Sequence, residues 1–389
     1  MFVGIDVAKD KFDACGIGEK GEKVFTLTAA MDRKGFEELT LHLKRKRSSL
    51  LLGLESTASY HIALFSYLTA QGYRVVIINP LLISNFVKLQ LRKTKTDKKD
   101  ALTIAQFLML RKEALENQTV SSDLMELRDL ARRRERLTDQ VTKLKGNMKR
   151  ILSVTFPELE HITGVFSKSI LQLLIRFSSA DALKKADVET VAALVVPRSW
   201  GRKSRAWVET PMVTAASSIG VTSPAKELVL KQDAALLLYV QEQIKETTKV
   251  LMRLCTERMK KDVEILASIK GIGVKTALDF LIEMGGGITL YENDKKLIAA
   301  AGLDPSTYQS GKYEGSSKIS KRGNRHLRRV IWLMTRGVVF SNALFRTYFY
   351  KRKGEGLCYK MAMLATAHKL IRVTFAMLVH QTCFGQGGR

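Results

Sequence analysis

The chain has 389 residues, enough for two or three domains that each bury a core, and its 46% hydrophobic and 26% charged content is that of a globular protein. No apolar run of about 18 residues is free of charge, so a membrane span is not expected, and the apolar start at Phe2 without a basic leader argues against a cleaved secretory signal. Sixty-four Lys and Arg against 38 Asp and Glu leave a net +26, an excess that requires a polyanion to neutralise it, and nucleic acid is the expected partner.

The first hundred or so residues read as α/β. Phe2 to Val7, Lys11 to Ile17 and Val24 to Thr28 are short strand-like runs at hairpin spacing, which predicts antiparallel pairing. Asp32 to Lys44 has helical periodicity through Phe36, Leu39 and Leu43. Leu50 to Leu54 is a fourth strand, then comes a helix from about Ala58 to Ala70, and Tyr73 to Ile78 is a fifth strand stopped by Asn79-Pro80. Another helix follows, and a last one spans about Asp97 to Arg111. The order βββαβαβα is the layout of a ribonuclease-H-like nuclease core, expected over residues 1–115.

Residues 116–262 read differently. Leu130, Leu137, Leu144 and Ile151 fall seven apart, with Leu127, Val141 and Met148 as the companion row. Ser223-Pro224 is an N-cap and N1 pair opening a second long helix, with Leu230, Leu237, Ile244 and Leu251 at sevens. Two such coiled-coil helices either fold back on each other or pair between subunits, and dimerisation is the economical expectation. The stretch between them, roughly 156–221, holds Pro157, Pro197, Pro211 and the basic run Arg198 to Arg205; its only assignable role is possible nucleic-acid contact.

A mainly α-helical, basic domain is expected over 263–389. Ile269 to Ala277 carries a Gly271-x-Gly273 turn with Lys275, which resembles the hairpin of helix-hairpin-helix modules that grip a DNA backbone through N–H groups. From Lys318 to Arg372 there are fourteen Lys or Arg and one acid, Glu355, interleaved with Trp332, Phe340, Phe345, Tyr348, Phe349, Tyr350 and Tyr359. That mixture suits phosphate contacts with a few stacking or packing rings. The four cysteines, Cys15, Cys255, Cys358 and Cys383, lack metal spacing and are expected to be reduced and mostly buried.

Four acids stand out. Asp6 sits inside an apolar strand, where burial is costly without a cation or a partner such as Lys9 or Lys11, and Glu55 at the end of another strand raises the same question. Asp97 and Asp100 lie three apart on one helix face, where they repel each other unless a cation or Lys95, Lys98 and Lys99 relieve them. In a ribonuclease-H-like fold the first strand, fourth strand and final helix converge, so these acids would form a metal site for Mg²⁺ or Mn²⁺.

Four short stretches carry a family likeness: Gly4-Ile5-Asp6-Val7-Ala8-Lys9, Glu55-Ser56-Thr57-Ala58-Ser59-Tyr60, Ile78-Asn79-Pro80 and Lys95-Thr96-Asp97-Lys98-Lys99-Asp100-Ala101. Together with Ala301-Gly302-Leu303-Asp304-Pro305, Tyr308-Gln309-Ser310-Gly311 and Ile319 to Asn324, the sequence resembles the DEDD transposases of bacterial insertion sequences. The resemblance implies a RuvC-like domain working with a serine that forms a covalent phosphoserine link to DNA; the matching residue is Ser310. It also implies double-stranded donor and target DNA, a guide (bridge) RNA encoded by the element, dimers or tetramers, and a cytoplasmic, nucleoid-associated location. Without it, Ser306, Ser316, Ser317 and Ser320 compete with Ser310, and His326 is a possible proton-transfer helper. Lys321, Arg322, Arg325, Arg328 and Arg329 are best placed to hold phosphates, with the turn at Gly271, Gly273 and Lys275.

The competing readings are a metal-dependent nuclease or junction resolvase with water as nucleophile, and a non-catalytic architectural protein whose acids only balance lysines. A sugar-kinase-like ATPase fits poorly, since no Walker-type loop is present and the charge is +26.

Overall fold

The computed structural model describes residues 1–43, 49–55, 60–78, 83–84, 86–87, 97–112, 122–306, 309–310, 313–314 and 318–385. Of residues 97–99, 122–123, 306, 309–310, 313–314 and 318 it describes the backbone alone. The helix expected just after Pro80 falls largely outside these residues, as do Lys95, Thr96, Ser316 and Ser317. The chain divides into two compact units, one combining Met1–Glu126 with Lys261–Arg389 and the other Leu127–Lys260.

In the first unit, β1 (Phe2–Val7), β2 (Lys11–Ile17) and β3 (Lys23–Ala30) pair antiparallel, as their spacing predicts. The chain then forms α1 (Arg33–His42), whose N-cap Asp32 accepts from Gly35 N at 2.8 Å. β4 (Leu51–Glu55), α2 (His61–Ala70) and β5 (Val75–Ile78) follow. β4 and β5 run parallel to β1, giving a mixed sheet of order β3-β2-β1-β4-β5. Parallel strands need cover on both faces, and β1 and β4 have it. Val3, Ile5, Leu52 and Leu54 join a core with Phe36, Leu39, Phe65 and Leu68 of α1 and α2. On the other face Phe2, Cys15, Ile17 and Leu51 pack with Ile104, Ala105 and Leu108 of α3 (Asp97–Leu110).

The second unit is helical. α4 (Ser122–Thr155) enters it, then α5 (Leu159–Ile162), α6 (Lys168–Arg176), α7 (Ala180–Lys184), α8 (Val188–Val195) and α9 (Arg205–Ala216), and α10 (Pro224–Leu254) closes it. Ser223 is the N-cap of α10 and Pro224 its first residue. The heptad seams meet each other: Leu144, Met148 and Ile151 share one core with Leu230, Ala234 and Leu237, filled out by Leu171, Leu174 and Val191. Asn147 donates to Asp233 across the two long helices. The core face of the seam is therefore filled within the chain, while Leu228, Leu236 and Tyr239 stay exposed on the other side of α10.

The chain re-enters the first unit through α11 (Glu257–Ala267) and α12 (Val274–Met284), then α13 (Asp294–Ala300). Two small hairpins pair β6 (Pro305–Ser306) with β9 (Lys318–Ile319) and β7 (Gln309–Ser310) with β8 (Tyr313–Glu314). The last helices are α14 (Arg325–Ser341), α15 (Ala343–Gly354) and α16 (Tyr359–His380). α14 buries Leu327, Val330, Ile331, Met334 and Val338, one helical stripe, and turns its arginines outward. Among the described residues α16 is the one helix long and apolar enough to cross a membrane, but half of it is buried, the position of a core helix packed on α14 and α15. All four cysteines are free thiols; Cys15 and Cys255 are buried, with burial pushing both thiols up, whereas Cys358 is exposed and Cys383 half-exposed. The expectation that most of them are buried is thus met by only two, because Cys358 lies at the exposed N-cap of α16.

Candidate active site and nucleic-acid surface

Strand parity and register place the acids. Ile5 pairs with Leu54 in parallel register, so Asp6 and Glu55 are the next residues along on neighbouring strands. Each lies two positions past a glycine, Gly4 or Gly53, on the sheet face that α3 covers. Those glycines let the helix sink onto the sheet. A Cβ on Gly4 would sit 2.2 Å from Ala101 O and 2.3 Å from Ala105 N, and one on Gly53 would sit 2.8 Å from a Leu108 methyl.

The same contacts give the helix direction. Ala101 and Ala105 lie at Gly4, while Met109 lies 3.8 Å from where a Cβ would project at Gly21, in the turn beyond Ile17, the partner of Phe2. α3 therefore runs antiparallel to β1, and its first turn, with Asp97 and Asp100, extends toward the Asp6 end of the strand. Asp6, Glu55 and Asp100 are half-buried, and each has a partner. Among the described residues no three His, Cys, Asp or Glu side chains cage a metal by themselves, and the Asp97 side chain lies outside those residues.

Asp13 was missed by sequence reasoning. It is directly opposite Asp6 on β2, on the same face, and only 3% exposed. Thr28 Oγ1 donates to Asp13 Oδ1 at 2.5 Å and Lys11 Nζ lies 3.5 Å from its other oxygen. A buried acid with these partners is satisfied by its own sheet. Lys11, offered by the sequence as a mate for Asp6, thus lies 3.5 Å from Asp13.

Ser310 lies on β7, opposite Tyr313 of β8, in a sheet separate from the carboxylates. Its competitor Ser320 is structural: Oγ donates to Asp304 Oδ1 at 2.6 Å and its N–H to Asp304 O at 2.9 Å. The segment after it is tightly folded. Lys321 has a left-handed backbone (φ 53°), and a Cβ on Gly323 would sit 2.2 Å from Ala300 O. Asn324 caps α14 by accepting from His326 N at 2.9 Å, and its amide donates to buried Glu283 on α12 at 2.7 Å. One side chain thereby fixes where the basic helix begins.

Lys321, Arg325, Arg328 and Arg329 line one cavity of about 880 Å³, joined by Arg352 and Lys360 around a floor that includes Leu303, Ile331, Trp332 and Leu364. Arg328 also donates to Ala301 O at 2.8 Å, and His368 Nε2 lies 3.0 Å from Leu303 O. Arg352 and Lys360 were visible only as part of the basic stretch, because their place in the cavity depends on how α15 and α16 pack. Arg322 is exposed outside the cavity, and His326 Nε2 accepts from Arg325 Nε at 3.3 Å.

The Gly271-x-Gly273 turn joins α11 to α12. Gly271 (φ 109°) packs backbone to backbone on α14: a Cβ there would meet Gly337 O at 2.4 Å. Gly273, the N-cap of α12, faces open space, and Lys275 beside it is exposed. Of the two glycines, Gly273 is the one free to present backbone to a phosphate.

Comparison with known proteins matches two stretches of the chain. Residues 3–157 match a family model described as "Transposase", the DEDD transposase domain of IS110 elements. Residues 263–350 match the "Transposase IS116/IS110/IS902 family". The insertion element IS110 uncharacterized 43.6 kDa protein of Streptomyces coelicolor is 26% identical, covering 97% of this chain and 94% of that protein. The pilin gene-inverting protein of Moraxella bovis is 25% identical over 97% of this chain and 95% of its own length. The transposase of element IS1111A from Coxiella burnetii is 24% identical over 99% and 91%. A DEDD domain implies dependence on divalent metal in general. With both ends of the chain matched in order and relatives aligned along nearly all of it, this chain belongs to the IS110/IS116 family of transposases.

Proposed function

We propose that this transposase cuts and rejoins DNA with a two-part active site on a RuvC-like, ribonuclease-H-like core. Asp6, Glu55, Asp97 and Asp100 would hold Mg²⁺ or Mn²⁺, and Ser310 supplies the nucleophile. The observation that carries most weight is that Asp6 and Glu55 are neighbours on adjacent parallel strands, on the face that α3 covers, with the first turn of that helix directed to their end. The four proposed donors are all carboxylates, which fits a hard divalent cation. A cation so held supplies a Lewis acid that offsets charge on the phosphate oxygens.

Ser310 Oγ bonds to phosphorus and loses its proton to solvent or a nearby base, and one deoxyribose hydroxyl leaves with a proton. A hydroxyl of the incoming strand then displaces Ser310 and restores a diester. Each step exchanges one phosphate ester for another, so no nucleotide is consumed. The cationic cavity beside α14 holds DNA or RNA phosphates, with Gly273 and Lys275 as a second backbone contact. Partners on this reading are double-stranded donor and target DNA, an element-encoded guide RNA, and further copies of the chain in a dimer or tetramer. The exposed Leu228, Leu236 and Tyr239 on α10 support self-association. The Moraxella relatives are named for inverting a pilin gene, which supports exchange between paired DNA sites.

The test is denaturing electrophoresis of end-labelled DNA carrying the element's ends, incubated with protein and Mg²⁺. A protein–DNA adduct should form with the wild-type chain, vanish with Ser310→Ala and vanish with chelator. If Ser310→Ala still forms the adduct, the serine assignment fails. Cleavage by Ser310→Ala without an adduct would instead support water as nucleophile.

A further inference from the structure

Between the two matched segments, the loop from α8 to α9 leaves Trp200 90% exposed. Its backbone is left-handed (φ 55°), as is that of Gly201 (φ 75°), and a bulky residue rarely adopts that conformation without a reason imposed by its surroundings. The loop is braced from inside. Buried Ser199 Oγ lies 2.9 Å from Val196 O and 3.2 Å from Lys203 O, and accepts from Lys203 N at 3.2 Å. Arg198 donates to Leu194 O at 3.2 Å, tying the loop to the end of α8. The scaffold thus holds the indole out in water instead of folding it in.

Its neighbours are cationic and polar. Arg202 is exposed, and Lys203 Nζ lies 4.7 Å from the Trp207 ring centre and 3.4 Å from Ser167 Oγ. The residue before Ser167 is Phe166, whose ring lies 5.1 Å from Lys145 Nζ and 6.0 Å from Lys149 Nζ. Arg205 is occupied by Glu189. Phe166 and Trp207 are half-buried against the core of this unit, which leaves Trp200 as the exposed ring, and an exposed ring next to exposed Arg202 suits one base and its phosphate in a single strand. A protein partner would instead require an apolar patch around the indole, and Arg198, Gly201, Arg202 and Ser204 do not make one.

We propose that this loop is a binding site for unpaired nucleic acid, in which Trp200 stacks on one unstacked base while Arg202 and Lys203 hold the flanking phosphates. The site is independent of the serine chemistry and can be tested without it. In the full chain carrying Trp207→Phe and Trp332→Phe, Trp200 is the sole tryptophan, and circular dichroism checks the fold. Titration with short oligothymidylate or oligouridylate should quench its fluorescence, and a matched duplex, whose bases are already stacked, should quench it far less. The stronger of the two single strands identifies the source as DNA or RNA. In the otherwise unaltered chain, Trp200→Ala should weaken single-strand binding about 10-fold or more and leave duplex binding unchanged, with Trp200→Phe retaining part of the affinity. Three results overturn the proposal: no quenching at saturating oligonucleotide, unaltered single-strand affinity in Trp200→Ala, or a spectral shift on raising protein concentration alone. The last would mean that a second copy covers the indole.

Discussion

A methyl group on Gly4 would sit 2.2 Å from the Ala101 carbonyl oxygen and 2.3 Å from the Ala105 nitrogen, backbone atoms that cannot swing aside. Gly4→Ala must therefore lift α3, and with it Asp97 and Asp100, away from Asp6. We expect a loss of about 1–3 kcal/mol in urea unfolding. DNA cleavage should fall further than the smaller folded fraction explains. Gly146, helical and with nothing near its missing Cβ, is the control: Gly146→Ala should stabilise by up to about 1 kcal/mol. Asp6→Asn, nearly isosteric, should keep the fold by circular dichroism and abolish metal-dependent cleavage; full cleavage in that variant would remove Asp6 from the site. At this scale the placement of Asp6 and Glu55 in their strands was legible because each acid interrupts or ends an apolar run. Asp13 was not, since its meaning comes from standing opposite Asp6, and register between strands has no local signature in the sequence.

The strands and long helices are the elements the sequence declares most openly. β1 and β2 occupy the expected residues, and Ser223-Pro224 opens α10 as its composition predicts. A heptad repeat, however, gives the existence of an apolar seam and not its occupant. Here Leu144, Met148 and Ile151 face Leu230, Ala234 and Leu237 of the same chain, helped by the short helices between them. Leu237 has no exposed surface, so Leu237→Ala should cost about 2–5 kcal/mol, read from denaturant unfolding. Leu236→Ala, on the exposed side, should leave stability nearly unchanged and lower any self-association seen by light scattering.

Across the whole molecule, charge and connectivity set the behaviour. The basic cavity beside α14 and the net +26 predict that DNA affinity falls steeply with salt, by a log–log slope of about −0.9 for each phosphate neutralised. Replacing Arg325 and Arg329 with alanine should flatten that slope by roughly one unit for each arginine that holds a phosphate, measured by filter binding over a salt series. The sequence made the charge plain, but not that Arg352 and Lys360 complete the cavity, because helices brought together by tertiary packing leave no local pattern. The discontinuous first unit was equally illegible: its halves, Met1–Glu126 and Lys261–Arg389, are separated by a complete second unit. On the ribosome this order has a consequence. The carboxylate sheet emerges first, and at about 5–20 residues per second the intervening unit delays the remaining half by roughly 7–27 s. A message truncated anywhere before Lys261 would yield the carboxylate sheet without the cationic cavity, so on the proposed reading the two parts of the site can meet only after the whole intervening unit has been made.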